Sequence, residues 1–133
     1  EENIMNNQKD VTEFMTAADQ YIGETPHLNE KNEQQARLYI DLIDEEFQEL
    51  CDGFIRRHIG DIADGGADLV WVIQGLFTTL GIDFNKVWEE VRASNMSKVS
   101  EGGKIKKRAD GKILKPESYF KPDIEKVLKE QGL

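Results

Sequence analysis

A chain of 133 residues, 38% hydrophobic and 32% charged, has room for one globular domain and is too short for two ordinary ones. Its net charge of −9 argues against a nucleic-acid partner, because a phosphate backbone needs a sizeable positive surface. The apolar run from Leu69 to Leu80 is too short to span a membrane, and the acidic, polar start has no signal-peptide character; a cytoplasmic protein with no membrane partner is expected.

Taken in order, the elements read as helices. Met5 is the expected natural start, with residues 1–4 a remnant. Val11, Phe14, Met15, Ala18 and Ile22 keep helical spacing until Gly23 and Pro26 end the segment. A longer helix is expected from about Glu30 to Ile59, its seam formed by Ala36, Tyr39, Ile43, Phe47, Leu50 and Phe54. Gly60 breaks it. A third helix runs from about Asp61 to Leu80, and a fourth starts behind Asp83 with Val87, Trp88 and Val91 on its apolar side. From Ser97 the pattern changes. Asp110-Gly111 between two short flanks signals a hairpin, and Pro122 suits the first turn of a short last helix. The expected fold is all-α, a single domain with a four-helix body and a basic C-terminal appendage over residues 96–133.

Charge follows the same division. Residues 1–95 hold 7 Lys+Arg and 20 Asp+Glu, whereas residues 96–133 hold 10 and 6. An acidic body with a basic tail suits a small ligand made of a metal ion and a polyphosphate. The single cysteine, Cys51, excludes an internal disulfide and reads as a core thiol. His27 and His58 read as surface residues, and Trp71 and Trp88 as core or subunit interface.

Carboxylates concentrate on two helices. Glu45 and Glu49 share a face at i, i+4, Glu46 stands three before Glu49, and Phe47 and Leu50 are expected to point to the core beside them. Like charges at this spacing cost a helix a few tenths of a kcal/mol, so they call for solvation or a cation. The third helix offers Asp61, Asp64 and Asp68 at i, i+3, i+7. Two such rows on consecutive antiparallel helices make an all-oxygen cage suited to Mg²⁺ or Mn²⁺. Gly65 and Gly66 interrupt the second row, although mid-helix glycine costs about 1 kcal/mol against alanine. They mark a close approach of a neighbouring helix or of a nucleotide.

Glu45-Glu46-x-x-Glu49, "ADGGADLVWVIQGL", "SNMSKV" and "RADGKILKPESYFKPDI" together resemble the MazG-like all-α nucleoside triphosphate pyrophosphohydrolases, specifically their phosphoribosyl-ATP-pyrophosphohydrolase-like branch. The resemblance runs from about Asp10 to the C-terminus. It implies a four-helix MazG-like bundle completed by oligomerisation, as a homodimer or homotetramer. It also implies metal-dependent hydrolysis of an NTP or dNTP to a monophosphate and pyrophosphate. By position, Glu46 and Glu49 match the family's first E-x-x-E, Glu45 precedes it as a candidate base, and Asp68 matches the aspartate of the second motif. The glutamate of that motif falls on Gly65, and Asp64 is the expected substitute. Asn95 and Lys98 match nucleotide-contacting positions, and Arg108, Lys112 and Lys115 are candidate phosphate clamps. Phosphoribosyl-ATP hydrolysis in histidine synthesis and a non-catalytic nucleotide-binding scaffold are the alternatives. A ferritin-like di-iron protein would need Glu-x-x-His pairs, and neither acidic helix supplies one.

Overall fold

In the computed structural model, which describes residues 6–100 and 102–133, Asn6 opens the first helix by accepting a hydrogen bond from the Lys9 amide. The expected start at Met5 and its four-residue remnant lie outside the described residues. Helix α1 (Asn7–Ala17) buries Val11 and Met15, one turn apart on one face. It ends earlier than the sequence indicates, because the chain turns at Asp19 in a left-handed conformation; Ile22 then reaches the core from a loop.

Helices α2 (Glu33–Ile55) and α3 (Ile59–Thr79) form an antiparallel hairpin. His58 makes the turn tight: its Nδ1 accepts from the Asp61 amide, and its own amide donates to the Gly53 carbonyl. The core gathers Val11, Met15, Tyr39 and Val72, with Leu42, Ile43, Leu69 and Leu76 packed against them. α4 (Phe84–Met96) and α5 (Ile124–Glu130) complete five helices, and no strand forms among the described residues. The expected hairpin at Asp110-Gly111 is a single antiparallel bridge between Lys107 and Ile113. Pro122 lies ahead of α5, which is capped instead by the Asp123 carboxylate on the Lys126 amide.

Two compact units result, one containing residues up to Phe84 together with Gln131–Leu133, the other Asn85–Glu130. The sequence pattern puts the change near Ser97; the units part before Asn85, so α4 belongs with the basic segment.

The expected seam of α2 is covered only along its first half. Ala36 and Tyr39 are buried, but Phe47 is 48% and Phe54 69% exposed, with Ile55 at 76% and Ile59 at 78% beyond them. Phe47 therefore does not point into a core within this chain. Periodicity reports that a helix has an apolar face; it does not say which chain covers it.

A polar staple closes the far end of the hairpin. The last carbonyls of a helix lack partners within it, and at α3 the connection between α1 and α2 supplies them. Gly23 N–H donates to Thr78 O, His27 N–H to Leu80 O, and the buried Asn32 Nδ2 to Thr79 O. Asn32 Nδ2 also reaches His27 O, and its Oδ1 accepts from Asn29 N–H. Asn32→Ala would leave three backbone groups short of a partner at once, that of Thr79 buried and those of His27 and Asn29 less so, and is expected to cost about 1–3 kcal/mol, read as a lower urea midpoint.

Candidate active site

The hairpin aligns the acidic residues because α3 lies unusually close to α2. A Cβ placed on Gly65 would stand 3.1 Å from Leu50 Cα and 3.2 Å from Leu50 N. Helix packing thus favours glycine here, since a Cβ would push the α2 backbone away by a few tenths of an ångström; this is the first of the two reasons the sequence offers. Around Gly66 nothing lies within 4 Å, and no structural reason for that glycine emerges. Helix propensity alone would allow Gly65→Glu; the α2 backbone opposes it, since a side chain there meets main-chain atoms that have little room to yield.

Glu46, on α2, is half-buried, and its Oε1 is shut off from solvent without a hydrogen-bond partner. Burial raises the pKa of this carboxyl above its ordinary value, and Glu49, Asp68, Glu45 and Asp64 raise it further in that order. One buried oxygen therefore feels both acidic rows. Asp64, one position from Gly65, belongs to the group. Unmatched buried charge is costly, so the arrangement stores a demand for positive charge.

Asp61 belongs to a different set. Arg56 donates from Nη2 to Asp61 Oδ2 at 2.6 Å and from Nε to Asp52 Oδ2 at 2.9 Å. The guanidinium beside it holds the Asp61 carboxyl below the usual carboxylate range. Among the described residues, Glu45, Glu46, Glu49, Asp64 and Asp68 make no such ion pair. Arg56 thus divides the acids into a compensated pair and an uncompensated five. An open cavity of about 380 Å³ lies along this face, lined by Gln48, Glu49, Asp52, Arg56, Asp61, Asp64 and Gly65. Asp52 and Arg56 were not singled out from sequence; their i, i+4 spacing was the available signal.

In the second unit, Lys98 Nζ donates to Asn95 Oδ1 at 3.1 Å. Arg108 is engaged by Asp110, Nη2 to Oδ2 at 2.6 Å, and the same aspartate accepts from the Lys112 amide. Lys115 stands over the Tyr119 ring at 5.1 Å.

One hairpin of an all-α protein thus carries five carboxylates that no cationic side chain among the described residues neutralises. The family model described as phosphoribosyl-ATP pyrophosphohydrolase matches residues 11–95, more than half of the chain, and the chain belongs to that MazG-like all-α pyrophosphohydrolase family. Comparison with individual curated proteins finds no match.

The family is typically Mg²⁺-dependent. The donor chemistry of this chain fits a hard cation: five carboxylates, one with a buried oxygen that has no partner. Among the described residues no three Asp, Glu, His or Cys side chains are placed to grip one ion together. The carboxylates are neighbours along a face and do not converge on a point.

Asp64→Asn and Asp68→Asn remove one anionic oxygen each without changing shape. Both are expected to lower activity by orders of magnitude and to raise the Mg²⁺ concentration needed for half-maximal rate. Asp61→Asn breaks only an exposed pair, worth little to stability, and should leave both quantities close to those of the parent. Full activity with unchanged metal demand in Asp64→Asn would return Asp64 to an ordinary helix surface.

Proposed function

We propose that the chain hydrolyses the anhydride between the α and β phosphates of a nucleoside triphosphate group, releasing pyrophosphate, with phosphoribosyl-ATP as its substrate. The description of the matched family supports that substrate. The single observation that carries the chemistry is the partnerless buried Oε1 of Glu46 amid four further carboxylates. A polyphosphate could not approach five anions unaided, so the site is built for a ligand that brings a cation with it.

Glu45, Glu46, Glu49, Asp64 and Asp68 would hold Mg²⁺, which when bound neutralises the polyphosphate and orients it. Water oxygen attacks the α phosphorus, and the bond from that phosphorus to the bridging oxygen breaks, so the electron pair leaves with pyrophosphate. The proton goes to a carboxylate. Glu45, which precedes the first motif as its candidate base, and Glu46 are the two carboxylates proposed to take it. Asn95, Lys98, Arg108, Lys112 and Lys115 remain proposed contacts for the nucleotide and its phosphates.

A second reading, hydrolysis of (d)NTPs in nucleotide-pool control, rests on the wider MazG-like nucleoside triphosphate pyrophosphohydrolase group to which the matched family belongs. Pyrophosphate release from phosphoribosyl-ATP and a panel of dNTPs under Mg²⁺ decides. A kcat/KM for phosphoribosyl-ATP well above that for every dNTP supports the first reading, and the reverse order supports the second.

The exposed apolar residues Phe47, Phe54, Ile55 and Ile59, and an apolar cavity lined by Leu50, Cys51, Phe54, Ile55 and Ile62, support a homodimer at least, since exposed apolar surface of this kind marks an interface. Light scattering at micromolar concentration is expected to give twice the chain mass or more; an active monomer would refute this.

A further inference from the structure

Two buried side-chain oxygens lack a hydrogen-bond partner among the described residues, Glu46 Oε1 and Gln74 Oε1. The first belongs to the carboxylate face. The second belongs to a side chain that lines a different cavity and is only 2% exposed. An unpaired buried carboxamide oxygen is costly, so its place in the fold needs a cause.

Two helices supply it. Ala67, Val70, Trp71 and Gln74 follow at i, i+3, i+4 and i+7 on one stripe of α3, and α1 faces that stripe with Asp10 and Val11. One turn beyond Gln74, Gln8 Nε2 donates to Thr78 Oγ1 at 3.2 Å, and the Thr12 and Thr78 hydroxyls stand 3.3 Å apart, which ties the helices together. Phe14 meets the Trp71 ring edge-on, with centroids 5.5 Å apart, and holds it in place. The cavity left between the helices measures about 340 Å³. A water needs roughly 30 Å³, and small-molecule sites begin near about 300 Å³. Asp10 and Trp71 are exposed at this cavity, whereas Gln74 is its buried polar group.

The lining defines what fits. Val11, Ala67, Val70 and Trp71 offer apolar and aromatic surface to a ring. A carboxamide carries an acceptor and two donors, and its complement is an N–H donor beside a lone-pair acceptor, the pair on the amino edge of adenine. Asp10, which makes no ion pair among the described residues, is a second acceptor. A ring with a carbonyl oxygen in place of the amino group would set oxygen against oxygen.

We infer that the cavity between α1 and α3 is a binding site for an amino-bearing heterocyclic base, adenine foremost, recognised by the Gln74 carboxamide. The base belongs to the nucleotide that is hydrolysed, since Trp71 follows Asp68 by one turn of α3, or to a separate nucleoside. The first source rests on the hydrolase reading; the existence of the site does not.

The test is calorimetry on the full chain without divalent metal, using adenosine and inosine, which differ by the amino group. Adenosine is expected to bind at least tenfold more tightly than inosine. Gln74→Met keeps the side-chain length and removes the carboxamide. It should weaken adenosine at least tenfold while raising the thermal midpoint of the unliganded protein, a rise that an amide paired within the fold would not give. Asp10→Ala, at an exposed position, should weaken adenosine at least threefold with the midpoint unchanged. No binding of adenosine, equal binding of the two nucleosides, or undiminished binding in Gln74→Met overturns the site. Glu46→Gln should keep adenosine binding while losing hydrolysis, so failure of the hydrolase reading is seen separately. A ratio of kcat/KM for dATP over dITP that falls at least tenfold in Gln74→Met assigns the site to the substrate base. An unchanged ratio, with adenosine binding lost, assigns it to a separate nucleoside.

Discussion

Glu46→Gln is expected to remove nearly all hydrolysis, by roughly 10²–10⁴-fold if the carboxylate takes the proton of water, while making the metal-free protein more stable at neutral pH. The two effects have one cause. Glu46 Oε1 is buried without a partner, and four neighbouring carboxylates oppose its charge. The amide keeps the shape and removes the charge. The sign follows from linkage: a carboxyl whose folded pKa is raised contributes stability below its unfolded pKa and loses it as pH rises through the folded value. The metal-free parent should therefore weaken as pH rises from the ordinary carboxylate range through the raised pKa of Glu46, and Glu46→Gln should lack that component. Denaturant midpoints across pH in EDTA, beside turnover in Mg²⁺, read both. A Glu46→Gln protein that turns over normally, or is less stable than the parent at neutral pH without metal, would remove Glu46 from the centre of the site.

Gly81→Ala is expected to be among the most damaging single substitutions to the fold, at about 2–5 kcal/mol. Gly81 has φ +73°, a left-handed conformation that costs a residue with a Cβ roughly 1–2 kcal/mol. The new Cβ would also press on the Thr25 carbonyl oxygen, and overpacking of this kind adds about 1–3 kcal/mol. The clash falls where Gly23, His27 and Asn32 satisfy the last carbonyls of α3, so relief by movement would break the staple. Gly102, also at positive φ but with nothing within 4 Å of its Cβ position, is the control for conformation alone. Gly102→Ala should cost much less, and equal thermal shifts in the two variants would refute the contact argument.

The helices and the acidic rows were legible because both depend on spacing along the chain. Val11 with Met15, Ala36 with Tyr39, and Glu45 with Glu49 each share a helix face by arithmetic, and Gly65 announced a close approach that proved to be Leu50. What spacing cannot carry is partnership between distant residues. The compensation of Asp61 by Arg56 forms across the α2–α3 turn, and burial of one Glu46 oxygen depends on how α3 lies on α2. The seating of Phe120 at the end of α4 depends on a hydrogen bond donated by Ser94 Oγ and another accepted by Ser97 Oγ, across more than twenty positions of sequence. Phe47 and Phe54 follow the seam's periodicity, yet this chain leaves them exposed.

The central claim, that the carboxylate face of the α2–α3 hairpin serves α–β anhydride hydrolysis, is tested most directly by phosphorus NMR of the products. Phosphoribosyl-ATP or a dNTP, incubated with the protein and Mg²⁺, should give equal amounts of a monophosphate and pyrophosphate, and no products when Asp68→Asn replaces the parent. Orthophosphate appearing beside a diphosphate would contradict the bond that is cleaved. No turnover of any nucleotide, with binding intact, would make the hairpin a nucleotide-binding scaffold instead.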